Sequence, residues 1–294
     1  MEGRLVDKLN KLTLDQPWRA IFWGDKQRDL QYVQEYKPEN GNVSHLRVLL
    51  YGPVGAGKSS FINSVSNVLR GRMTIPTLAS ATTSNTSFTR RYETFKIRKG
   101  KGNPKTFYPF VFNDVMGLEE GSDSGVRAED IKLAMKGGVR EGYKFNPLSP
   151  LSERDPGYNP TPSPDDRVHI LVCVFSANSA EIKGSVLQKM KAIRETASDL
   201  AIPQMAIVTN IDAACAEIEK DLKNVYMSKH LKKKMTDFSS AVGIPMNCIC
   251  PVKNYSQEIQ INDEVDSLIV SALRLIIDFG DDFIDNMQTS PAGQ

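Results

Sequence analysis

Cysteine is scarce in this 294-residue chain. Four are present, Cys173, Cys215, Cys248 and Cys250, and neither their number nor their spacing resembles the disulfide framework of a secreted domain. Cys248-x-Cys250 is not a zinc-ligand pattern, so the thiols read as reduced and structural. No apolar run approaches the ~20 residues that span a bilayer. The N-terminal MEGRLVDKLNKL is charged and has no apolar core of signal-peptide length. Gly3 does not follow the initiator Met directly, and the final PAGQ matches no lipidation signal. These absences predict a cytoplasmic location without a transmembrane segment. An excess of one charge is also lacking: 37 Lys and Arg against 35 Asp and Glu leave a formal net charge of +2. That balance gives no electrostatic case for nucleic acid or an anionic membrane as the main partner. The local basic run Lys229–Lys234 reads as the solvated face of a helix. No internal repeat is visible.

What the chain does have is LRVLLYGPVGAGKSSF, from Leu46 to Phe61. Gly52, Gly57, Lys58 and Ser59 fall at the spacing G-x-x-x-x-G-K-[ST], with Pro53, Val54, Gly55 and Ala56 between them and Ser60 after. An apolar strand-like run precedes the loop and a helical run follows it, which is the setting a phosphate-binding loop requires. The glycines let the backbone curl until several N–H groups face one hollow. The helix N-terminus adds partial positive charge there. Lys58 is the candidate for the β- and γ-phosphates, and the Ser59 hydroxyl for Mg²⁺.

The length allows one large α/β domain with appendages. Strands are predicted at 46–51, 88–98, 106–113, 168–175, 204–208 and 246–252, the second and third as an antiparallel hairpin across a Lys-Gly turn. Helices are predicted at 25–36, 58–70, 128–136, 184–200, 214–226, 228–242 and 263–285. The alternation predicts a P-loop NTPase, GTPase-like three-layer α/β fold, with a mostly parallel sheet and helices on both faces. Residues 1–45 read as a helical segment packed on that core, 46–288 as the nucleotide-binding domain, and 289–294 as a disordered tail. Within the domain, residues 144–167 hold six prolines and read as an extended surface insertion.

Further motifs stand in order along this frame. Asp114-Val115-Met116-Gly117 is a D-x-x-G after the third strand: Asp114 faces the Mg²⁺ position, and Gly117, lacking a Cβ, lets its N–H approach a γ-phosphate. Among Thr82, Thr83 and Thr86, in the loop where a first switch belongs, Thr83 is the candidate hydroxyl for Mg²⁺. Thr209-Asn210-Ile211-Asp212 occupies the place of the guanine motif [NT]-K-x-D. A carboxylate there accepts from guanine N1–H and its exocyclic amine, a donor pair adenine lacks. Asn210 replaces the Lys whose stem lies over the base, which weakens stacking and leaves GTP against ATP open. Lys253 and Asn254, after the last strand, occupy the loop that backs the base, with a backbone contact to guanine O6.

One element is missing. Leu118 stands where many small GTPases carry the Gln that orients the attacking water. Hydrolysis then needs another group, such as a switch residue, Arg72, or a partner's side chain across a dimer, and slow turnover by the monomer is expected. The reading is a Mg²⁺-dependent GTP- and GDP-binding protein with Lys58, Thr83 and Gly117 in the catalytic roles. A non-enzymatic nucleotide-binding interaction protein is the alternative. A nucleotide or small-molecule kinase shares the phosphate loop, but the ordered D-x-x-G and T-N-x-D argue against it.

The chain also resembles the interferon-induced protein 44 and 44-like family. The likeness is carried by Pro17-Trp18-Arg19, by Ser44–Phe61 through the phosphate loop, by Thr82-Thr83-Ser84 and by Tyr143–Pro147. It continues in Ser163–Arg167, Asn254-Tyr255-Ser256, Ser271–Arg274 and Asp281-Asp282-Phe283. It runs from about Pro17 to about Phe283. The resemblance implies a cytoplasmic, interferon-induced GTP-binding protein of innate antiviral defence, with an unknown host or viral partner. Family members often carry a further N-terminal domain, and the 45 residues before the first strand are expected to be too few to hold one.

Overall fold

The computed structural model describes residues 12–21, 23–77, 91–115, 117–121, 124–179 and 182–289. Among the described residues six strands form one sheet in the order β2-β3-β1-β4-β5-β6. They are β1 (Leu46–Tyr51), β2 (Glu93–Lys99), β3 (Thr106–Asp114), β4 (Ile170–Ser176), β5 (Gln204–Thr209) and β6 (Ile249–Pro251). All neighbouring pairs are parallel except the antiparallel β2–β3 hairpin. β1 is buried along its whole length, as an apolar run covered on both faces must be. Its one charged residue, Arg47, is satisfied internally: the guanidinium donates to Asn113 Oδ1 at 2.7 Å, to Thr94 Oγ1 at 3.2 Å and to the Asp165 carbonyl at 2.8 Å.

The helices are α1 (Lys26–Glu35), α2 (Lys58–Arg70), α3 (Ala128–Met135), α4 (Gly184–Asp199), α5 (Ile211–Ala214), α6 (Ala216–Lys220), α7 (Lys229–Val242) and α8 (Asp263–Thr289). α1 and α2 pack against α8, while α3 and α7 pack against α4, so the sheet lies between two helical layers. The three-layer, mostly parallel P-loop fold read from the sequence is the fold observed. α8 approaches β1 closely at Gly280, where a Cβ would stand 2.6 Å from a Leu46 methyl. α1 is tied to α8 by polar contacts: Arg274 to Asp29 at 2.6 Å, Tyr32 to Asp278 at 2.6 Å and Tyr36 to Asp281 at 2.7 Å. Further toward the N-terminus, Trp18 meets the Tyr226 ring edge-on with centroids 5.0 Å apart.

Three expectations need correction. The helix expected over 214–226 is broken into α5, α6 and a 3-10 turn, Leu222–Tyr226. Cys215 and Asp221 are extended at the breaks, and the Asp221 carboxylate accepts the Lys223 N–H at 2.9 Å, capping a new turn. β6 spans only three residues, because Met246–Cys248 forms a 3-10 turn before it and Pro251 offers no N–H. The Pro-rich segment 144–167 has no regular structure beyond the turn Pro164–Asp166, yet it is not an extended excursion. Phe145 and Leu151 are buried, and the Leu151 N–H donates to Asp130 Oδ1 at 2.7 Å. Its apolar residues fold it onto the domain, which proline counting does not register. Among the described residues no helix is long and apolar enough to cross a membrane.

Candidate nucleotide site

Strand order reverses at β1, which lies between β3 and β4, and the carboxyl end of such a strand is where open α/β sheets bind ligands. The glycine-rich loop begins there. Gly52, Gly55 and Gly57 adopt φ of 146°, 73° and 90°, a region that side chains resist. Gly52 is also sterically required, since a Cβ on it would lie 2.0 Å from the Val174 carbonyl oxygen. α2 starts at Lys58, and helix geometry leaves the N–H groups of Lys58, Ser59 and Ser60 without intrahelical acceptors. They form an anion-facing turn at the positive end of a 13-residue helix.

Lys58 is buried, and its ammonium donates back to the carbonyls of Gly52 (3.2 Å) and Pro53 (3.1 Å). Burial lowers its pKa from the ordinary lysine value, and the nearby Asp114 carboxylate opposes that shift. Beside it, the Ser59 hydroxyl donates to Asp114 Oδ2 at 2.5 Å. The structure thus brings the phosphate-loop serine and the D-x-x-G aspartate to one point, from elements 55 residues apart. Thr77 Oγ1 donates to the Ser59 carbonyl at 3.0 Å, fixing the first turn of α2 from outside.

Gly117 and Leu118 lie directly on the loop. A Cβ on Gly117 would stand 2.9 Å from the Val54 backbone, so only glycine permits this approach. The Leu118 N–H donates to the Gly52 carbonyl at 2.9 Å, and the Leu118 carbonyl accepts the Val54 N–H at 3.3 Å. Leu118 is buried, and its side chain has no group with which to orient water. Lys189 of α4 donates to the carbonyls of Glu119 (2.9 Å) and Ser124 (3.0 Å), pinning the following loop. Nothing in the sequence distinguishes Lys189 from other helix-surface lysines, so motif reading misses it. Thr82, Thr83 and Thr86, the first-switch candidates, lie outside the described residues, as does Met116. Arg72 follows the C-terminal end of α2, roughly 20 Å along the helix from Lys58 at 1.5 Å per residue, and so does not join the site.

At the base end, Thr209 turns its hydroxyl to the Ala56 carbonyl at 2.6 Å, toward the phosphate loop. Asn210 has a left-handed backbone (φ 52°), and its Nδ2 donates to Ser176 Oγ at 2.9 Å. Asp212 stands in the first turn of α5 and is partly exposed; Lys253 Nζ lies 3.3 Å from its Oδ2. Glu258, which sequence reading did not single out, shares the same ammonium at 3.0 Å. Asn254 Nδ2 donates to the Gly57 carbonyl at 3.2 Å, and Ser64 of α2 bridges Asn254 Oδ1 (3.3 Å) and the Tyr255 N–H (3.1 Å). The candidate residues at 52–60, 114, 117, 209–212 and 253–254 therefore line one continuous face at the carboxyl end of the sheet.

No family profile matches the chain. It is 32% identical over 265 residues to human interferon-induced protein 44, covering 90% of this chain and 59% of that protein. The mouse protein of the same name is 34% identical over 260 residues, covering 88% of this chain and 60% of that one. Human interferon-induced protein 44-like is 30% identical over 269 residues, covering 91% and 59%. The chain spans about three-fifths of the length of these relatives. In fold it resembles Toc33 from Arabidopsis thaliana. A dimerization-deficient Toc33 mutant matches with TM-score 0.50 and 14% identity, over 90% of this chain and 93% of that one. Toc33 in complex with Mg²⁺ and GMPPNP also matches with TM-score 0.50 and 14% identity, over 89% and 94%.

Proposed function

This chain is a relative of the interferon-induced protein 44 and 44-like family over nine-tenths of its length, and from that premise we propose that it is a Mg²⁺-dependent guanine-nucleotide-binding protein and a slow GTPase. The observation that carries the proposal is the Ser59–Asp114 contact beside the buried Lys58 ammonium at the start of α2. A hydroxyl, a carboxylate, an ammonium and a turn of helix N–H groups converge there, which is the donor set a Mg²⁺-polyphosphate needs. Mg²⁺ takes oxygen ligands and keeps several waters, so one serine and one aspartate, the latter direct or through water, suit it without a closed protein cage.

In this reading Ser59 and Asp114 hold Mg²⁺, which when bound would neutralise charge on the β- and γ-phosphate oxygens. Lys58 and the N–H groups of 55–60 hold the phosphates. The Gly117 N–H meets the γ-phosphate, and Thr83 is proposed as a further hydroxyl ligand. Asp212 accepts from the guanine edge. A switch role in interferon-induced antiviral innate immunity, in the cytoplasm, is proposed on the family likeness alone. A homodimer across the nucleotide face is proposed as the source of the missing hydrolytic group.

A second reading has its own support. Leu118 is buried and hydrogen-bonded through its backbone to the phosphate loop, so the position that commonly orients water cannot do so. A nucleotide-binding interaction protein without hydrolysis follows if no partner supplies that group. The test is calorimetric titration with GDP and a GTP analogue in Mg²⁺, with Lys58→Ala as the comparison, followed by single-turnover phosphate release. Tight GDP binding lost in Lys58→Ala supports the site. Absence of binding by the unaltered chain removes both readings, and binding without phosphate release at any protein concentration favours the second.

A further inference from the structure

We propose that Lys253 is a positioning residue for base recognition: its ammonium, reaching from the loop after β6, orients the Asp212 carboxylate toward the donor edge of guanine, a task Asn210 is not free to assist. The inference rests on the nucleotide reading above and deepens it. The sequence comparison with [NT]-K-x-D finds no lysine at position 210 and suggests a weakened base site. The structure supplies one from a different segment.

Asn210 is committed elsewhere, since its left-handed backbone and its bond to Ser176 Oγ fix it against the end of β4. Lys253 Nζ stands 3.3 Å from Asp212 Oδ2 and 3.0 Å from Glu258 Oε1. Glu258 is held in its own loop, accepting the N–H groups of Ser256 (2.9 Å) and Gln257 (3.1 Å). The lysine is therefore anchored on one side by a fixed carboxylate and presents its charge to Asp212 on the other. Each carboxylate oxygen carries two lone pairs, so a lysine on Oδ2 leaves both oxygens able to accept from guanine N1–H and its amine. Burial works to lower the Lys253 pKa, but the bonds and charges of Glu258 and Asp212 outweigh it and hold it above the ordinary value. The side chain stays cationic. Without it, Asp212 and Glu258 would face one another across a partly desolvated gap with no cation between them.

A partly exposed ion pair contributes little to stability, so a purely structural role predicts little change on removal. An orienting role predicts a change in selectivity. The test is titration of the full chain with GDP, IDP and ADP in Mg²⁺, for the unaltered protein, Lys253→Met and Lys253→Arg. Lys253→Met is expected to lose about tenfold in GDP affinity, the scale of one misdirected charge-assisted hydrogen bond, with ADP affinity unchanged. IDP, which lacks the exocyclic amine, is expected to lose less than GDP. Lys253→Arg restores most of the GDP affinity, and both variants keep the melting midpoint. The proposal is overturned if Lys253→Met keeps the GDP-to-ADP ratio, whether by losing nothing or by losing both equally, or if Lys253→Arg fails to rescue. An unaltered chain with no preference for GDP over ADP sinks the base site as a whole. A clear preference that Lys253→Met leaves unmoved sinks this inference alone.

Discussion

Thr209 secures the phosphate loop from the base side: its buried hydroxyl donates to the Ala56 carbonyl at 2.6 Å. One residue of the candidate base motif thereby positions the candidate phosphate loop, so the two halves of the candidate site are mechanically joined at the end of β5. Thr209→Val keeps the branched shape and deletes the donor. Leaving the Ala56 carbonyl without that partner in a buried place costs about 1–3 kcal/mol. Urea unfolding is expected to show that loss as a lower midpoint with an unchanged slope, and GDP affinity is expected to fall with it. A variant within about 0.5 kcal/mol of the parent, the range of an ordinary surface change, would mean the contact does not hold the loop.

Gly52 and Gly117 are glycines for different reasons, and alanine separates them. At Gly52 a Cβ would lie 2.0 Å from the Val174 carbonyl, a backbone atom of the central sheet that cannot withdraw, and φ is 146° besides. Gly52→Ala is expected to unfold or to lose several kcal/mol on the scale of core overpacking and backbone strain together, about 3–5 kcal/mol. At Gly117 the obstacle is Val54 at 2.6–2.9 Å, in a loop that can shift, so Gly117→Ala is expected to fold. Its Leu118–Gly52 and Leu118–Val54 bonds would be lengthened, and binding of a GTP analogue should suffer more than binding of GDP if, as proposed, the Gly117 N–H meets the γ-phosphate. Equal losses for the two nucleotides would place Gly117 away from the γ-phosphate.

The motif residues were legible because each needs a fixed residue type: glycine where φ is positive, lysine and serine at a helix start, aspartate at a strand end. The strands were legible where both faces are buried, as in LRVLLY and ILVCVF, since a continuous apolar run admits few alternatives. What escaped was held by side chains with no periodicity. The break at Cys215 and Asp221 depends on a local cap that competes with helix. The packing of Phe145 and Leu151 is hidden among prolines that predict only irregular backbone. Lys189 and Glu258 act on partners 65 to 70 residues away or within a loop turn, and neither contact leaves a pattern in the chain. For Lys253 the sequence points to a backbone contact, whereas the structure connects its side chain to Asp212 and Glu258.

His169 sits at the opposite end of the sheet and sets an acid limit to the fold. It is fully buried, its Nδ1 accepts the Arg47 N–H at 2.9 Å, and its Nε2 faces the Pro164 carbonyl at 3.2 Å. With Nδ1 occupied as an acceptor, the ring is neutral and donates through Nε2, tying β1 to the end of the Pro-rich segment. Burial pushes its pKa from 6.5 down to about 4, with the Pro164 carbonyl opposing and the charges of Arg47 and His45 adding to the drop. The folded value lies below the unfolded one, so below pH 6.5 the unfolded chain takes up a proton that the folded chain refuses. Stability is therefore lost as pH falls from about 6.5 to about 4, amounting to about 3 kcal/mol at 1.36 kcal/mol per unit, and the loss levels off below that. His169→Gln retains an acceptor and a donor but does not titrate. Carboxylates also contribute in this range, so the informative quantity is the difference between parent and variant in unfolding free energy across pH 4–7. That difference should shrink steadily toward acid in favour of the variant. A pH-independent difference would mean that His169 takes up its proton as readily folded as unfolded, which the Nδ1 acceptor bond to the Arg47 N–H does not allow.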